Sequence, residues 1–323
     1  MEIRKAIVAG QFYQSTPMQL TKGIEACFKH ELGSGMPKMI VSQKVSVRRF
    51  KRIIGAICPH AGYPYSGMCA AYSYKAIKES DEYDLFIILG FSHAGYDGEK
   101  SSTLSVNWET PFGIAEVKTD VVKLLLKETS LVENHLSLSN EHSIEVQLPF
   151  FQYLFKNFKF VPISVSPYSD FKKLAMEIKT AIDKTGLKVC YVASSDFTHY
   201  GSNFGYMPFK DDIQKNLKKL DLGAIELIKK KDTAGLKNYI EKTGATICGT
   251  APISLMIELI RQDSKDGDLL KYYTSGDVTG DYGHCVSYAS IVFDKKDNSD
   301  DDNNTNNTNN TNNTNNTNNN MTR

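Results

Sequence analysis

Three short apolar runs in this chain each stop at a histidine. Ile53–Cys58 leads into Pro59-His60, Leu85–Gly90 into Phe91-Ser92-His93, and Val189–Ala193 into Ser194-Ser195-Asp196-Phe197-Thr198-His199. Runs of this length, apolar and β-branched without alternation, read as strands buried on both faces of a sheet. In an open parallel α/β sheet, ligands bind outside the carboxyl ends of the strands. The repeated placement predicts an α/β fold in which three strands deliver His60, His93 and His199 to one edge. Only seven histidines occur among 323 residues, so three such placements carry weight. The competing arrangement leaves them in separate loops on strands that are not neighbours.

Composition narrows the setting. The length fits one large α/β domain or two ordinary ones. Hydrophobic residues make up 41% of the chain, enough for a sizeable core. The formal charge of +1, with no basic stripe, gives no electrostatic case for a nucleic-acid or anionic-membrane partner. The apolar part of the first ten residues is too short for a signal peptide, and no apolar run approaches a membrane span. The six cysteines form no C-x-x-C pair, and Cys58 and Cys190 fall inside buried strands, where a thiol acts as a small hydrophobe. The expectation is a reduced, cytoplasmic protein, not a disulfide scaffold or structural zinc module.

Along the chain, Ala6 to Tyr13 reads as an edge strand and turn. Thr16-Pro17 marks a helix start, with Leu20, Ile24, Cys27 and Phe28 on its apolar face and Gly33 as its stop. Residues 34–52 form a basic connection carrying Lys38, Lys44, Arg48, Arg49, Lys51 and Arg52. Tyr63 and Tyr65 lie in the turn after the first histidine, and a helix is expected from Met68 to Lys78. The segments flanking Trp108 suggest a hairpin. Trp108 is the only tryptophan, and two roles are open to it: wall of the pocket or packing anchor. Ile144, Leu148 and Phe151 follow helical spacing across Pro149, which must kink or restart the helix. His142 and Glu145, three apart, would share its face, either at the pocket or as a solvated histidine beside a capping acid.

Further strands are expected at 160–165 and 286–293, and helices at 171–182 and 209–241. Cys248 precedes a helix whose buried stripe is Ile253, Met256, Ile257 and Ile260. A helix N-terminus lowers a thiol pKa and favours the thiolate, although a packed cysteine behind a glycine turn reads equally from the sequence. From Asp294 on the composition changes to an Asn/Thr repeat with nothing apolar to offset ordering. One α/β domain over residues 1–294 and a disordered Asn/Thr-rich tail over 295–323 are therefore expected.

His60, His93, Asp196, His199 and Cys248 form the candidate constellation. Imidazole, carboxylate and thiolate together suit iron, copper or zinc, whereas magnesium and calcium want more oxygen. Asp196 and His199, spaced Asp-x-x-His, suit proton transfer or support of a ligand.

The chain resembles the Memo family, whose fold is similar to that of class III extradiol ring-cleaving dioxygenases. The pieces that carry the resemblance are Ala9–Tyr13, Pro59–Tyr63, Gly90–His93, Glu141–Glu145, Ser194–His199 and Ile247–Gly249, in that order along residues 6–293. The resemblance implies one α/β domain with helices on both sides of a central, largely parallel or mixed sheet. It also implies His60, His93 and Cys248 as metal ligands, with Asp196 and His199 completing the pocket. Ring-cleaving enzymes use two histidines and a carboxylate around Fe(II). Here Cys248 takes the carboxylate position, and an oxidisable thiolate changes the chemistry expected.

Three functions follow as expectations. The first is a protein binding redox-active iron or copper, acting as an oxidoreductase with Asp196 and His199 as proton-transfer groups. The second is a non-catalytic binding module that reuses the pocket for a peptide or small aromatic ligand through Tyr63, Tyr65, Trp108 and the basic loop at Arg48, Arg49 and Arg52. The third is a zinc or thiol hydrolase with Cys248 as nucleophile and His199 as base.

Overall fold

A computed structural model describes residues 2–38, 49–95 and 98–297. The Asn/Thr repeat, Lys44 and Arg48 lie outside the described residues. In chain order the described elements begin with β1 (Ile3–Arg4), α1 (Pro17–Lys29), β2 (Ile53–Cys58), α2 (Tyr63–Ser80), β3 (Leu85–Gly90), β4 (Ser102–Thr103), β5 (Asn107–Thr110) and β6 (Gly113–Val117). They continue with α3 (Thr119–Glu128), β7 (Val132–Glu133), α4 (His135–Ser139), α5 (Leu148–Leu154), β8 (Lys159–Ser164), α6 (Phe171–Asp183) and β9 (Val189–Ser194). The last are β10 (His199–Tyr200), α7 (Ile213–Lys229), α8 (Thr233–Thr243), α9 (Thr250–Ile260), β11 (Asp268–Thr274), α10 (Ser275–Thr279) and β12 (Cys285–Asp294).

One mixed sheet of twelve strands holds them together. Its centre is the parallel run β8-β3-β9-β2, and β12 continues it antiparallel to β2. Every residue of β2, β3 and β9 is buried, as strands covered on both faces require. The three histidine-bearing runs are adjacent, with β9 between β2 and β3. The strands that lead to His60, His93 and Asp196 are therefore neighbours, while His199 lies five residues past β9, on β10 beside β12. Because the strands are parallel, their carboxyl ends share one edge.

Helices on the sheet read as amphipathic faces. α1 begins with Pro17 after Thr16 and buries Leu20, Ile24, Cys27 and Phe28. It ends at Lys29, earlier than Gly33, with His30 as the exposed cap. α2 starts at Tyr63, not Met68, because Pro64 occupies its first turn, where a missing N–H is harmless. Pro149 acts in the same way, ending a short 3₁₀ turn and starting α5. At the N-terminus the expected turn is present, and the expected strand is corrected. Only Ile3–Arg4 is strand, and Val8–Tyr13 is a tight turn closed by amide bonds from Gln11 and Phe12 to the Val8 carbonyl. The hairpin around Trp108 is present, with β5 and β6 antiparallel and a two-residue turn. No described helix is long and apolar enough to cross a membrane.

Candidate metal centre

β2 ends at Cys58, and the chain turns to place His60 at the floor of the site, 2% exposed. β3 delivers His93, whose side chain is 36% exposed, at the mouth. Cys248 enters from the side, one residue before Gly249, the N-cap of α9. Its sulfur lies 3.4 Å from His60 Nε2. Ligand-type atoms of His60, His93 and Cys248 all lie within 4.8 Å of one another. The imidazole rings of His60 and His93 are 5.3 Å apart and perpendicular.

Hydrogen bonds assign the tautomers of these histidines. Ser194 Oγ donates its only proton to the Ser143 carbonyl at 2.7 Å and accepts from Gln147 Nε2 at 2.8 Å. It contacts His60 Nδ1 at 2.9 Å and has only a lone pair left to offer, so Nδ1 carries the proton. His93 Nδ1 faces the Glu141 carboxylate at 2.9 Å, and His199 Nδ1 faces the Thr246 carbonyl at 3.0 Å. Both partners accept only, so both Nδ1 atoms are donors. With Nδ1 donating, Nε2 is the nitrogen each ring leaves for a metal or a proton.

Electrostatics favour the neutral ring at His60 and at His142. Burial, and then the neighbouring His93, His142 and His199, hold His60 well below the ordinary histidine range. Burial and His93 bring His142 down to about 4. Burial pushes the Asp196 carboxyl up, opposed first by His199. Asp196 Oδ1 accepts from the amides of His60 at 2.8 Å and Ala61 at 3.3 Å, which ties the β9 and β2 ends together. The expected low pKa of Cys248 is corrected. Burial and the Asp196 carboxylate push its thiol up, outweighing hydrogen bonds from the Asp196 amide, the Ser195 side chain and the Gly249 amide. A coordinated cation is what would hold it as thiolate.

Other expected residues take different places. His142 stacks on His93 with ring centres 4.3 Å apart and meets Phe12 edge-on, so it belongs to the pocket. Glu145 does not share its surroundings. That carboxylate accepts from Arg4 at 2.6 Å, from the Tyr13 hydroxyl at 2.6 Å and from the Ile7 and Val8 amides. Tyr63 is buried, donates to the Val146 carbonyl and packs on Tyr13 and Phe150, so its hydroxyl is not free for a ligand. Trp108 is fully buried, 3.9 Å beneath the Arg4 guanidinium and edge-on to Phe160. Of its two roles, packing anchor is the one it fills. Arg49 and Arg52 precede β2, at the opposite sheet edge from His60. A six-residue strand rising about 3.3 Å per residue puts roughly 20 Å between the two edges.

Sequence reasoning missed Glu141, Ser194 and Gln147, the groups that orient the histidines. Their partners lie 48 and 134 residues away in the chain for Glu141 and Ser194, so no local spacing announces them.

Comparison with known proteins shows the family. The family model described as "Memo-like protein" matches residues 4–292. The chain belongs to the Memo family. MEMO1 family proteins of Methanopyrus kandleri and Pyrobaculum arsenaticum are 36% and 38% identical over 298 and 297 residues. The matches cover 90% and 91% of this chain and 98% and 99% of those proteins. A MEMO1 family protein of Nitrosopumilus maritimus is 36% identical over 296 residues, covering 90% of this chain and 99% of its own. In this Memo family member the two histidines and the cysteine fit a metal ion by donor chemistry. They offer two imidazole nitrogens and a thiol sulfur within 4.8 Å of one another, with the second nitrogen of each ring already hydrogen-bonded.

Proposed function

We propose that this Memo family protein binds a redox-active metal, iron or copper, through His60 Nε2, His93 Nε2 and Cys248 Sγ, and works as an oxidoreductase. The observation that carries the reading is the convergence of these three atoms within 4.8 Å, with the imidazole lone pairs directed by fixed Nδ1–H donors. Thiolate with imidazole suits a soft or borderline ion and argues against magnesium or calcium. A bound ion would supply one-electron redox chemistry at the mouth of the pocket.

The protein's own groups supply proton handling. Thr246 holds His199, its carbonyl facing Nδ1 at 3.0 Å and its Oγ1 accepting the His199 backbone amide at 2.9 Å, so Nε2 is the ring nitrogen left to handle a proton. Asp196 lies 3.9 Å from His60 Nε2 and has Oδ1 fixed by two amides, leaving Oδ2 to exchange a proton. Phe91, centred 4.3 Å from the His93 ring, and Phe12 against His142 form apolar walls that limit water at the centre.

The hydrolase reading has less support, because Cys248 pairs with His60 and its thiol is pushed up, the wrong direction for a free nucleophile. Anaerobic loading with Fe(II) and with Cu(I) tests the proposal. Stoichiometric retention by the wild type and loss in His93→Ala is the expected result. A wild type that retains neither ion refutes it.

A further inference from the structure

Glu141 is buried to 2% exposure beside the proposed centre. Three donors converge on its carboxylate. Oε1 accepts from His93 Nδ1 at 2.9 Å and from the Ser143 amide at 2.6 Å, and Oε2 accepts from the His93 amide at 2.7 Å. One side chain thus grips residue 93 at both ring and backbone. Glu141, His93 and His142 also bring ligand-type atoms within 4.8 Å. The carboxylate is committed to those donors, however, and His93 Nδ1 is committed to the carboxylate. The same Oε1 lies 3.6 Å from His142 Nδ1, beyond a hydrogen bond but close enough to orient that ring.

The segment carrying Glu141 is itself anchored. Arg4 Nη2 donates to the Glu141 carbonyl at 2.5 Å, and Arg4 Nε donates to the Leu138 carbonyl at 2.8 Å. His93 sits on a loop after β3, and its ring is held otherwise only by stacking on Phe91 and His142, which fixes its plane but not which nitrogen faces the centre. His60 needs no charged partner, because the buried Ser194–Gln147 pair holds it.

We propose that Glu141 is the positioning residue of the centre, fixing His93 as the Nδ1–H tautomer so that Nε2 presents its lone pair to the metal. This rests on the metal-binding reading above. Carboxylate on one imidazole nitrogen and metal on the other raises ligand basicity and sets ring orientation. Glu141→Gln preserves the shape and breaks the logic. An amide has one acceptor oxygen, while N–H donors face both carboxylate positions. An amide group turned toward Oε1 would meet Ser143 N–H and the ring, and the ring can respond by moving its proton to Nε2. That removes the lone pair from the metal side.

The test uses the full chain with ¹⁵N-labelled histidine, metal-free, read by long-range proton–nitrogen spectra that distinguish tautomers. Cu(II) titration by competition follows on the same samples. In the wild type His60, His93 and His199 should all be Nδ1–H. In Glu141→Gln only His93 should lose that form, while His60 and His199 keep it and report an intact fold. Cu(II) affinity should fall by about 10–100-fold. An unchanged His93 tautomer with unchanged affinity overturns the proposal. A wild type that binds no Cu(II) and also retains neither Fe(II) nor Cu(I) on anaerobic loading overturns the metal reading instead, and the His93 tautomer still decides whether Glu141 directs that ring. Where Glu141→Gln fails to fold, pulsed EPR of Cu(II)-loaded wild type decides. His93 bound through Nε2 with a protonated remote Nδ1 supports the role, and binding through Nδ1 refutes it.

Discussion

Cys248 Sγ lies 3.4 Å from His60 Nε2, although 188 residues separate the two in the chain. The Asp196 amide donates to the same sulfur at 3.3 Å. The β2 end, the β9 end and the start of α9 therefore meet at one point, and the sheet edge becomes a site only because all three do.

Close packing behind the cysteine should matter as much as the cysteine. Gly249 lies so near Ser195 Cβ and Oγ and the Ser194 carbonyl that an added Cβ would overlap all three. Its amide also donates to Ser195 Oγ at 3.0 Å. Gly249→Ala should destabilise the protein by about 1–3 kcal/mol, the usual range for overpacking, and should weaken metal retention by displacing Cys248. Urea unfolding with a parallel loading assay checks this. Full stability and full retention would mean that α9 can shift freely.

The Arg4–Glu145 pair anchors the segment behind the histidines, and both side chains are almost wholly buried. Arg4→Met should cost about 3–5 kcal/mol, because Glu145 is left as a buried charge without its counter-ion. The Tyr13 hydroxyl and two amides soften this loss without removing it. Chemical denaturation measures it. A loss indistinguishable from a surface substitution would contradict the proposed anchor.

What the sequence reveals is the frame. The apolar strands, their histidines and the α9 stripe depend on local pattern, and the sheet places them as the pattern requires. Glu141 and Ser194 could not be read, because they act through partners that only the folded sheet brings near. Glu145 misled for the opposite reason, and Trp108, open between pocket wall and packing anchor, proved to be the anchor. Aromatic and acidic residues near a motif suggest a pocket, but both turn to Arg4, which no spacing rule connects to them. The Cys248 thiol was misjudged because helix-terminus polarity is local, whereas desolvation depends on everything packed around the sulfur.

Asp221 should give a measurable pH effect away from the metal ligands. It accepts from Thr198 Oγ1 at 2.6 Å and from the Tyr272 hydroxyl at 2.7 Å. Burial raises its carboxyl above the usual 3.8, partly opposed by hydrogen bonds from Ser287, Thr198 and Tyr272. The folded state therefore holds this proton more tightly than the unfolded chain. The group's contribution to stability is fully present below the unfolded value and is lost as pH rises through the raised folded value. The stability gap between wild type and Asp221→Asn should narrow as pH climbs from the ordinary carboxylate range. Unfolding free energies across that range test the sign. A gap that widens with pH would mean that the fold favours the carboxylate.

Metal content after anaerobic purification, measured by elemental analysis for the wild type and for Cys248→Ser, bears on everything above. Stoichiometric iron or copper in the wild type, reduced in the variant, is the predicted result and establishes a thiolate-ligated centre at His60, His93 and Cys248. Absence of metal from both proteins, or equal metal in both, would contradict it.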